Sequence, residues 1–343
     1  MIEMSGNGLH PRSEVDALER LLDILGDPKR IDVARGIGDD CAVLSFPGEF
    51  DLLLTVDTVI SGIHFSTQWQ SPYGIGWRAL AASVSDVAAM GGEPLAGLVA
   101  LGIPGGWDEE LVGIYQGLHD LSARLHVDIV GGDISALPSG LSISITVLGR
   151  VKREKCVFRN GARIGDDIWV TGALGGGEAV RQMAQRGIKG PEWDRGLMEY
   201  ERILPRIEEA RFLAQELPLS SMIDISDGLS TDLSHICRMS RVGAALDETH
   251  IPVHGSALFV ATQTGLNPLE LALNGGEDFE LCFTASGGSG IRVAEEFAER
   301  FGLQMTKIGR ITGSDLILRD RSGHSRPLNP GGYDHLKAKE RGR

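Results

Sequence analysis

The chain has 343 residues, which is long enough for two domains, because single hydrophobic cores usually stop growing at about 250 to 300 residues. Its formal net charge of -14 opposes association with nucleic acid or an anionic membrane surface, so neither is expected as the main partner. The four cysteines lie far apart and form no CxxC pair, which argues against a zinc site or a disulfide framework and fits a reducing cytoplasm.

The first half of the chain alternates between helical and strand patterns. A helix is predicted from Ser13, because serine is a good N-cap and Leu18, Leu21, Leu22 and Leu25 recur at helical spacing. The further elements predicted in this half are a strand at 51–58, a helix at 74–92, a strand at 95–104, a helix at 107–125, a strand at 126–133 and a half-exposed strand at 141–151. Strands and helices are therefore expected to interleave in a mixed α/β domain.

A basic, polar stretch at 150–167 predicts a domain junction. We place the boundary near Val151, with an N-terminal domain over 1–150 and a C-terminal α/β domain over 151–343. Beyond the junction the pattern restarts, with a strand, a glycine turn and a helix at 167–187 and at 221–239, then strands at 279–285 and 305–312.

No membrane segment is expected. The start of the chain lacks the apolar core of a signal peptide. The most apolar stretch, 79–103, is interrupted by Asp86, Glu93 and Pro94, so it does not read as a membrane span.

Aspartates recur where apolar segments run into turns. The set comprises Asp40, Asp57, Asp86, Asp133, Asp224 and Asp227. Each one alone has a plain structural explanation, because aspartate is common in turns and at helix N-caps. Asp39 and Asp40 are adjacent in a glycine-hinged corner, where like charges repel unless a cation lies between them. Together, several carboxylates on separate strand ends suit Mg²⁺, which takes carboxylate oxygens along with substrate phosphates.

Other catalytic motifs are missing from the sequence. It contains no GxxxxGK[ST] phosphate loop, no protein-kinase signature, no GxSxG elbow and no HExxH pair. The glycine-rich run at 171–180 offers backbone amides to a phosphate, but a tight strand-to-helix turn explains the same glycines.

Seven motifs occur in the order found in one known family. They are GIGDDCAVL (36–44), TVDTVISGIHF (55–65), SVSDVAAMGGEP (83–94), VGGD (130–133), DISDGLSTDL (224–233), GGEDFELCFT (275–284) and GYDH (332–335). By these motifs the chain resembles the thiamine-monophosphate kinase family from about Arg35 to His335. That family is grouped with aminoimidazole ribonucleotide synthetase and selenophosphate synthetase.

The resemblance implies a fold and a reaction. The fold is a two-domain, mixed α/β fold of the aminoimidazole ribonucleotide synthetase type, whose N-terminal sheets form a barrel across a homodimer. The reaction is transfer of the γ-phosphoryl group of ATP to thiamine monophosphate, giving thiamine diphosphate and ADP in thiamine diphosphate biosynthesis. Several Mg²⁺ ions are implied, with ATP as the co-substrate.

The resemblance also assigns residues by position. The catalytic set is Asp57, Asp133 and Asp224. The metal ligands are Asp40, Thr55, Asp57, Asp86, Asp133, Asp224 and Asp227. The ATP-binding residues are Tyr115, Gly132, Asp133, Arg159 and Ser226. The residues for thiamine monophosphate are His64, Glu277 and Tyr333.

Some assignments have alternatives. Val56 and the GGDIS run each lack a hydroxyl that the family often carries near the metals. His64 and Tyr333 also fit surface or packing roles, and the helical spacing of Tyr115 also fits a core position. For the whole chain, the alternatives are another ATP-dependent enzyme of the superfamily, like aminoimidazole ribonucleotide synthetase or selenophosphate synthetase, and an inert nucleotide-binding homologue.

Overall fold

A computed structural model of the protein describes residues 14–26, 28–106 and 108–335. The predicted N-cap Ser13 lies outside the described residues. Within them, no helix combines the length and the apolar character needed to cross a membrane.

The first half of the described chain builds one mixed sheet with helices on one face. Its elements are α1 (Glu14–Leu25), β1 (Val33–Arg35), β2 (Ala42–Ser45), β3 (Phe50–Ile60), α2 (Pro72–Ala89), β4 (Glu93–Ile103), α3 (Asp108–Leu125), β5 (Asp128–Ala136) and β6 (Ser142–Lys152). The sheet has the strand order β1-β2-β3-β6-β4-β5. Only the edge pair β4 and β5 is parallel in this sheet. Each helix and strand predicted in this half is confirmed, within a few residues at the ends.

Helix α2 is well specified by its sequence. Ser71 caps its N-terminus, accepting a hydrogen bond from the Gly74 backbone amide, and Pro72 occupies the first turn. A Cβ at Gly76 would lie 1.9 Å from the Ile114 carbonyl oxygen, so this glycine lets α2 pack directly on α3. The resulting helix pair covers one face of the sheet through β3, β4 and β6.

The second half forms a larger sheet. Its elements are β7 (Asp167–Thr171), α4 (Gly176–Arg186), α5 (Pro191–Glu201), α6 (Ile207–Glu216), β8 (Leu219–Ile225), α7 (Leu229–Ser240), β9 (Gly243–Asp247), α8 (Gly255–Thr264), α9 (Pro268–Asn274), β10 (Glu280–Ala285), α10 (Ser289–Phe301), β11 (Met305–Thr312), β12 (Leu316–Arg319) and β13 (Ser325–Pro327). Short 3₁₀ turns lie at Arg153–Lys155 and Glu248–His250. The strand order is β13-β12-β9-β11-β7-β10-β8, and the strands predicted at 167, 221, 279 and 305 are all present.

The two sheets come from consecutive parts of the chain, but they share one hydrophobic core. The first sheet ends with β6 and the second begins with β7, so the predicted boundary near Val151 falls at the end of β6. One buried cluster nevertheless includes Leu53 and Val84 from the first half with Phe212 and Phe283 from the second. The domain bounds 1–150 and 151–343 stay a prediction, and the shared core holds the two halves together beside the site described next.

Helix α1 differs from expectation in its packing. The helix is present, but the stripe of leucines that predicted it is exposed, from 36% at Leu22 to 63% at Leu25. Its spacing therefore marked a helix without marking a buried face.

Candidate active site

Three carboxylates meet where the two halves join. Asp40 lies in the turn between β1 and β2, Asp86 on α2 and Asp224 on β8. One carboxylate oxygen from each lies within 4.8 Å of the other two. We call Asp40, Asp86 and Asp224 the acidic cluster. The sequence predicted all three as metal ligands, and the structure brings them together from both halves of the chain.

The acidic cluster is short of positive charge. Burial raises the pKa of Asp86 well above its usual value, and the charges of Asp57 and Asp224 raise it further. Burial, followed by the charge of Asp40, raises the pKa of Asp224 to about 7. A carboxylate whose pKa rises in this way favours a proton or a nearby cation.

Hydroxyl groups and one guanidinium offset part of this cost. The Thr55 hydroxyl donates to Asp86 at 2.5 Å, and the Ser85 hydroxyl donates to Asp224 at 2.6 Å. The Arg159 Nη2 donates to Asp40 Oδ1 at 2.5 Å. These donors orient the carboxylates but leave the group of acids with a net negative charge.

The donor set fits a divalent cation. Asp40 Oδ2 is buried and accepts no hydrogen bond within the described chain, so it is available as a ligand. Carboxylate and hydroxyl oxygens are hard ligands that Mg²⁺ prefers. Asp57 lies close enough for its charge to raise the pKa of Asp86, so a fourth carboxylate is at hand.

Asp39 holds the turn next to Asp40 in place through contacts with Arg159 and Arg35. Its carboxylate accepts the Arg159 backbone amide at 3.0 Å and lies 3.5 Å from Arg35 Nε. Burial, followed by the charge of Asp40, raises its pKa to about 6. Asp39 therefore anchors the segment that carries Arg159.

Asp133 does not join the acidic cluster within one chain. It pairs across the sheet with Ala100 of β4, which pairs with Ser144 of β6, which pairs with Thr58 of β3. Directly opposed residues share a face, so Asp133 lies on the face of Thr58, opposite to that of Asp57. Three strand spacings of about 4.8 Å also put it roughly 14 Å away. Asp133 as a metal ligand therefore stays a prediction, which the acidic cluster of the same chain does not include.

The expectation that these aspartates close strands is wrong in part. Asp57 and Asp133 lie inside β3 and β5, which continue for at least three further residues. Asp86 lies on α2, in agreement with the helix predicted at 74–92. Alternating side-chain direction, rather than strand termination, decides what Asp57 and Asp133 face.

The predicted ATP-binding residues are dispersed. Arg159 and Ser226 lie beside the acidic cluster, whereas Gly132 is in exposed β5. A Cβ at Gly132 would lie 1.9 Å from a backbone oxygen of Val99, so close strand packing requires this glycine. Tyr115 packs against the hydrophobic core from α3, as its helical spacing also allowed.

A second group of ligand atoms surrounds Asp227. An oxygen of Asp227, an oxygen of Asp232 and a nitrogen of His235 lie within 4.8 Å of one another. Asp232 is buried and accepts the backbone amides of Asp227 and Gly228 at 3.2 and 3.0 Å. Asp232 and His235 lie three residues apart on one face of α7. Neither residue was predicted from the sequence.

Two of the predicted substrate residues share an aromatic cluster. The rings of His64 and Tyr333 are 6.5 Å apart, and the His335 ring lies 4.9 Å from the first and 4.8 Å from the second. His64 Nδ1 accepts the Ile60 backbone amide at 2.9 Å, which fixes its ring. The charge of His335 lowers the pKa of Asp57, although burial, the larger effect, raises it. This cluster therefore borders the acidic cluster.

Glu277, the third predicted substrate residue, lies in a crevice with His64. Arg78 and Phe279 also line this crevice. Glu277 adopts a left-handed backbone conformation, with φ of +68°, and its amide donates to the Ser226 carbonyl oxygen at 2.7 Å. That bond joins the Glu277 turn to the segment between Asp224 and Asp227.

The glycine-rich turn at 171–180 is already occupied. The carboxylate of Asp278 accepts the Gly175 amide at 2.6 Å and the Gly177 amide at 3.1 Å. Burial raises the Asp278 pKa to about 7 although these amides lower it. The amides that could hold a phosphate therefore hold a carboxylate of the chain itself, which explains the glycines as a turn.

Further residues with buried polar contacts near the site were not predicted from the sequence. They are Arg78, Tyr200 and Asp278. Only Arg78 left a usable signal, because it is the lone basic residue in the apolar helix α2. A buried arginine requires a partner, and its partner was not identifiable from spacing.

Comparison with known proteins agrees with this architecture. Residues 38–151 match the family model "AIR synthase related protein, N-terminal domain", and residues 163–320 match "AIR synthase related protein, C-terminal domain". The fold and its junction site therefore define an AIR synthase related protein with the two-domain α/β fold of that class.

Individual relatives narrow the class. Thiamine-monophosphate kinase of Rhodopirellula baltica is 35% identical over 312 residues, covering 88% of this chain and 92% of the relative. Thiamine-monophosphate kinase of Bacillus subtilis is 33% identical over 310 residues, covering 88% and 93%. The solved structure of AaThiL complexed with AMPPCP and TMP superposes with a TM-score of 0.80 and 28% identity, covering 94% of this chain and 97% of that one. The chain belongs to the thiamine-monophosphate kinase family.

Proposed function

We propose that the protein transfers the γ-phosphoryl group of ATP to thiamine monophosphate, giving thiamine diphosphate and ADP with Mg²⁺. The observation that carries the proposal is the acidic cluster, in which buried carboxylates from both halves converge without enough positive charge. A family of thiamine-monophosphate kinases supplies the substrate class.

The reaction brings two anions together. The acceptor is a phosphate monoester with a second pKa near 6, so at neutral pH it is largely dianionic and needs little help from a general base. Each pair of unit charges about 4 Å apart costs roughly 4 kcal/mol at an effective dielectric constant of 20. Bound Mg²⁺ would supply the charge neutralisation that lets the two phosphates approach.

The chain would supply oxygens for these ions from the acidic cluster and from two further positions. Asp40, Asp86 and Asp224 would hold ions directly, with Asp57 and Thr55 beside them. Thr55 also orients Asp86 through its 2.5 Å hydrogen bond. The further ligands proposed from the family pattern are Asp133 and Asp227.

ATP would lie between the acidic cluster and Arg159. A guanidinium can form two hydrogen bonds to phosphate oxygens. Burial lowers the Arg159 pKa, but the neighbouring carboxylates, Asp40 first, raise it further, so the side chain stays charged. Ser226, Gly132 and Tyr115 complete the proposed ATP-binding set.

Thiamine monophosphate would lie over the mouth of the crevice beside Glu277. His64 and Tyr333 offer ring surface there, and an aromatic face attracts a cation such as thiazolium. The carboxylate of Glu277 adds negative charge to the same crevice. The phosphate end would then point toward the acidic cluster, which adjoins the aromatic rings.

We also propose a homodimer, with the first sheets of two copies forming a barrel. The sheet face opposite α2 exposes Val56 by 61% and Leu98 by 48%, and Val130 on β5 is 64% exposed, which is unusual for an uncovered sheet. Asp133 lies on this face. Light scattering is expected to give twice the mass of the 36.8 kDa chain; a monomer at assay concentration would contradict the barrel.

The cytoplasm is the proposed location, because all four cysteines are free thiols.

The activity is tested by incubating the protein with Mg-ATP and thiamine monophosphate and measuring thiamine diphosphate. Product is expected from the wild type and from Asp51→Asn, a control on the same strand as Asp57. Asp57→Asn is expected to lose turnover while keeping the fold. ATP consumption with another acceptor and no thiamine diphosphate would assign the protein to another reaction of the superfamily.

A further inference from the structure

Glu277 is held by a polar network that spans both halves of the molecule. We infer that Arg78 and Tyr200 are positioning residues that orient the Glu277 carboxylate and thereby set the affinity for thiamine monophosphate rather than for ATP. This inference rests on the proposed function and names two residues of the same site.

The two oxygens of Glu277 have different partners, a hydrogen-bond donor for one and a cation beside the other. The Tyr200 hydroxyl donates to Oε2 at 2.7 Å, and Arg78 Nη2 lies 3.3 Å from Oε1. A hydrogen bond to a charged group is stronger than a neutral one, and the guanidinium adds electrostatic attraction from the other side. With both oxygens held, the carboxylate has one orientation.

Arg78 is itself fixed. The residue is only 5% exposed, its Cζ lies 3.4 Å from the centre of the Tyr200 ring, and its Nη1 donates to the Tyr200 carbonyl oxygen at 2.6 Å. Within the described chain, Glu277 is the one carboxylate that pairs with Arg78. The burial of a guanidinium is costly without a paired carboxylate, so this pair is specified rather than incidental.

The backbone at Glu277 gives independent support. A non-glycine residue at φ of +68° is unfavourable, and such conformations persist where the surroundings enforce them. The conformation turns the carboxylate into the crevice that His64 and Phe279 also line. The network thus fixes a charged group at the place proposed for the substrate.

The same helix links this carboxylate to the acidic cluster. Arg78 and Asp86 both lie on α2, eight residues apart, which is about 12 Å along a helix axis. A rigid helix therefore sets the distance between Glu277 and the metal ligands, as a substrate with a cationic ring at one end and a phosphate at the other requires.

The test uses Tyr200→Phe, which removes one oxygen and keeps the ring that stacks on Arg78. Its KM for thiamine monophosphate is expected to rise about tenfold, with kcat and the KM for ATP within about twofold of wild type. Arg78→Met is expected to raise the same KM more, and Arg78→Lys to restore part of the loss because it keeps the charge. Melting temperatures of all variants are measured alongside.

A double variant separates positioning from a structural role. If Tyr200 acts through Glu277, adding Tyr200→Phe to Glu277→Gln changes the KM for thiamine monophosphate by less than about twofold. The inference is overturned if Tyr200→Phe leaves that KM unchanged, if the KM for ATP rises equally, or if the full effect persists beside Glu277→Gln. Those outcomes assume an active wild type; a wild type that makes no thiamine diphosphate overturns the proposed function and this inference with it.

Discussion

The molecule contains two regions of buried carboxylate that solve the same electrostatic problem differently. Glu280 on β10 is 5% exposed and accepts two hydrogen bonds from Arg206, at 2.8 and 2.5 Å, and one from Thr171 at 2.6 Å. The acidic cluster gathers three carboxylates around one guanidinium, which reaches Asp40. A buried carboxylate that is paired with a cation of the same chain is a structural element. Buried carboxylates without enough cations are a candidate site for a bound ion or ligand.

The largest expected effect comes from removing one ligand of the acidic cluster. Asp86→Asn is expected to lower kcat by about a thousandfold, or about 4 kcal/mol of transition-state stabilisation. Its free energy of unfolding in chelator is expected to rise, because a neutral amide replaces a buried, repelled carboxylate. Rates of thiamine diphosphate formation and urea titrations measure the two quantities. A stability loss as large as the loss of activity would show that Asp86 is structural.

Breaking the ion pair between Arg206 and Glu280 is expected to lower stability and to leave activity nearly unchanged. Arg206→Met leaves Glu280 buried without its cation and is expected to cost about 3 kcal/mol of unfolding free energy. Activity per folded molecule stays within about twofold, since Arg206 is outside the proposed site. Urea unfolding followed by activity of the folded fraction tests this. Unchanged stability would remove the contrast between the two regions.

The stability of the protein is expected to depend on pH because the buried carboxylates lack enough cationic partners. The Asp224 pKa is raised from 3.8 to about 7 in the folded state, so between these values the folded protein binds more protons than the unfolded chain. Stability must then fall as pH rises from about 4 to 7. In chelator the melting temperature is expected to drop over that range by on the order of 5 °C, and Mg²⁺ at pH 7 is expected to restore it.

Asp224→Asn serves as the control for that titration. It removes one shifted carboxylate, so its melting temperature is expected to vary less with pH. The other carboxylates with raised pKa values still contribute, and they are Asp39, Asp57, Asp86, Asp232 and Asp278. Equal slopes for wild type and Asp224→Asn would contradict the assignment.

The smallest effect is expected at an exposed ion pair. Arg211 Nη1 lies 3.0 Å from Glu208 Oε1, and both side chains are at least 36% exposed. Solvent screens such pairs, so Arg211→Gln is expected to change the unfolding free energy by at most about 0.5 kcal/mol. Urea titration beside Arg206→Met gives the comparison, and similar losses in both variants would mean that burial is not what distinguishes them.

Strong periodicity made most of the fold predictable. The apolar runs at β3 and β4 and the helical spacing of α3 appear where the sequence placed them. Register did not follow from the sequence, because neighbouring residues of a strand face opposite sides and strand pairing alone decides which side is covered. Asp57 and Asp133 therefore look equivalent in the sequence and lie on opposite faces of the sheet.

The sequence predicted several residues of the candidate site, but it did not predict which side chains contact one another there. Asp40, Asp86 and Asp224 carry a recognisable chemistry, and their sequence contexts identified them. Arg78 lies in the apolar helix α2 and Tyr200 in the charged helix α5. In both helices the role of the side chain depends on a partner far along the chain. That information resides in tertiary contacts, which no local pattern encodes.

The ion pair between Arg159 and Asp40 has a consequence for the order of events at the site. The guanidinium of Arg159 occupies one oxygen of Asp40 that could otherwise bind a cation. A polyphosphate that attracts Arg159 would release this carboxylate, so nucleotide binding and divalent-ion binding would reinforce each other by thermodynamic linkage. Mg²⁺ alone is then expected to bind more weakly than Mg²⁺ in the presence of nucleotide.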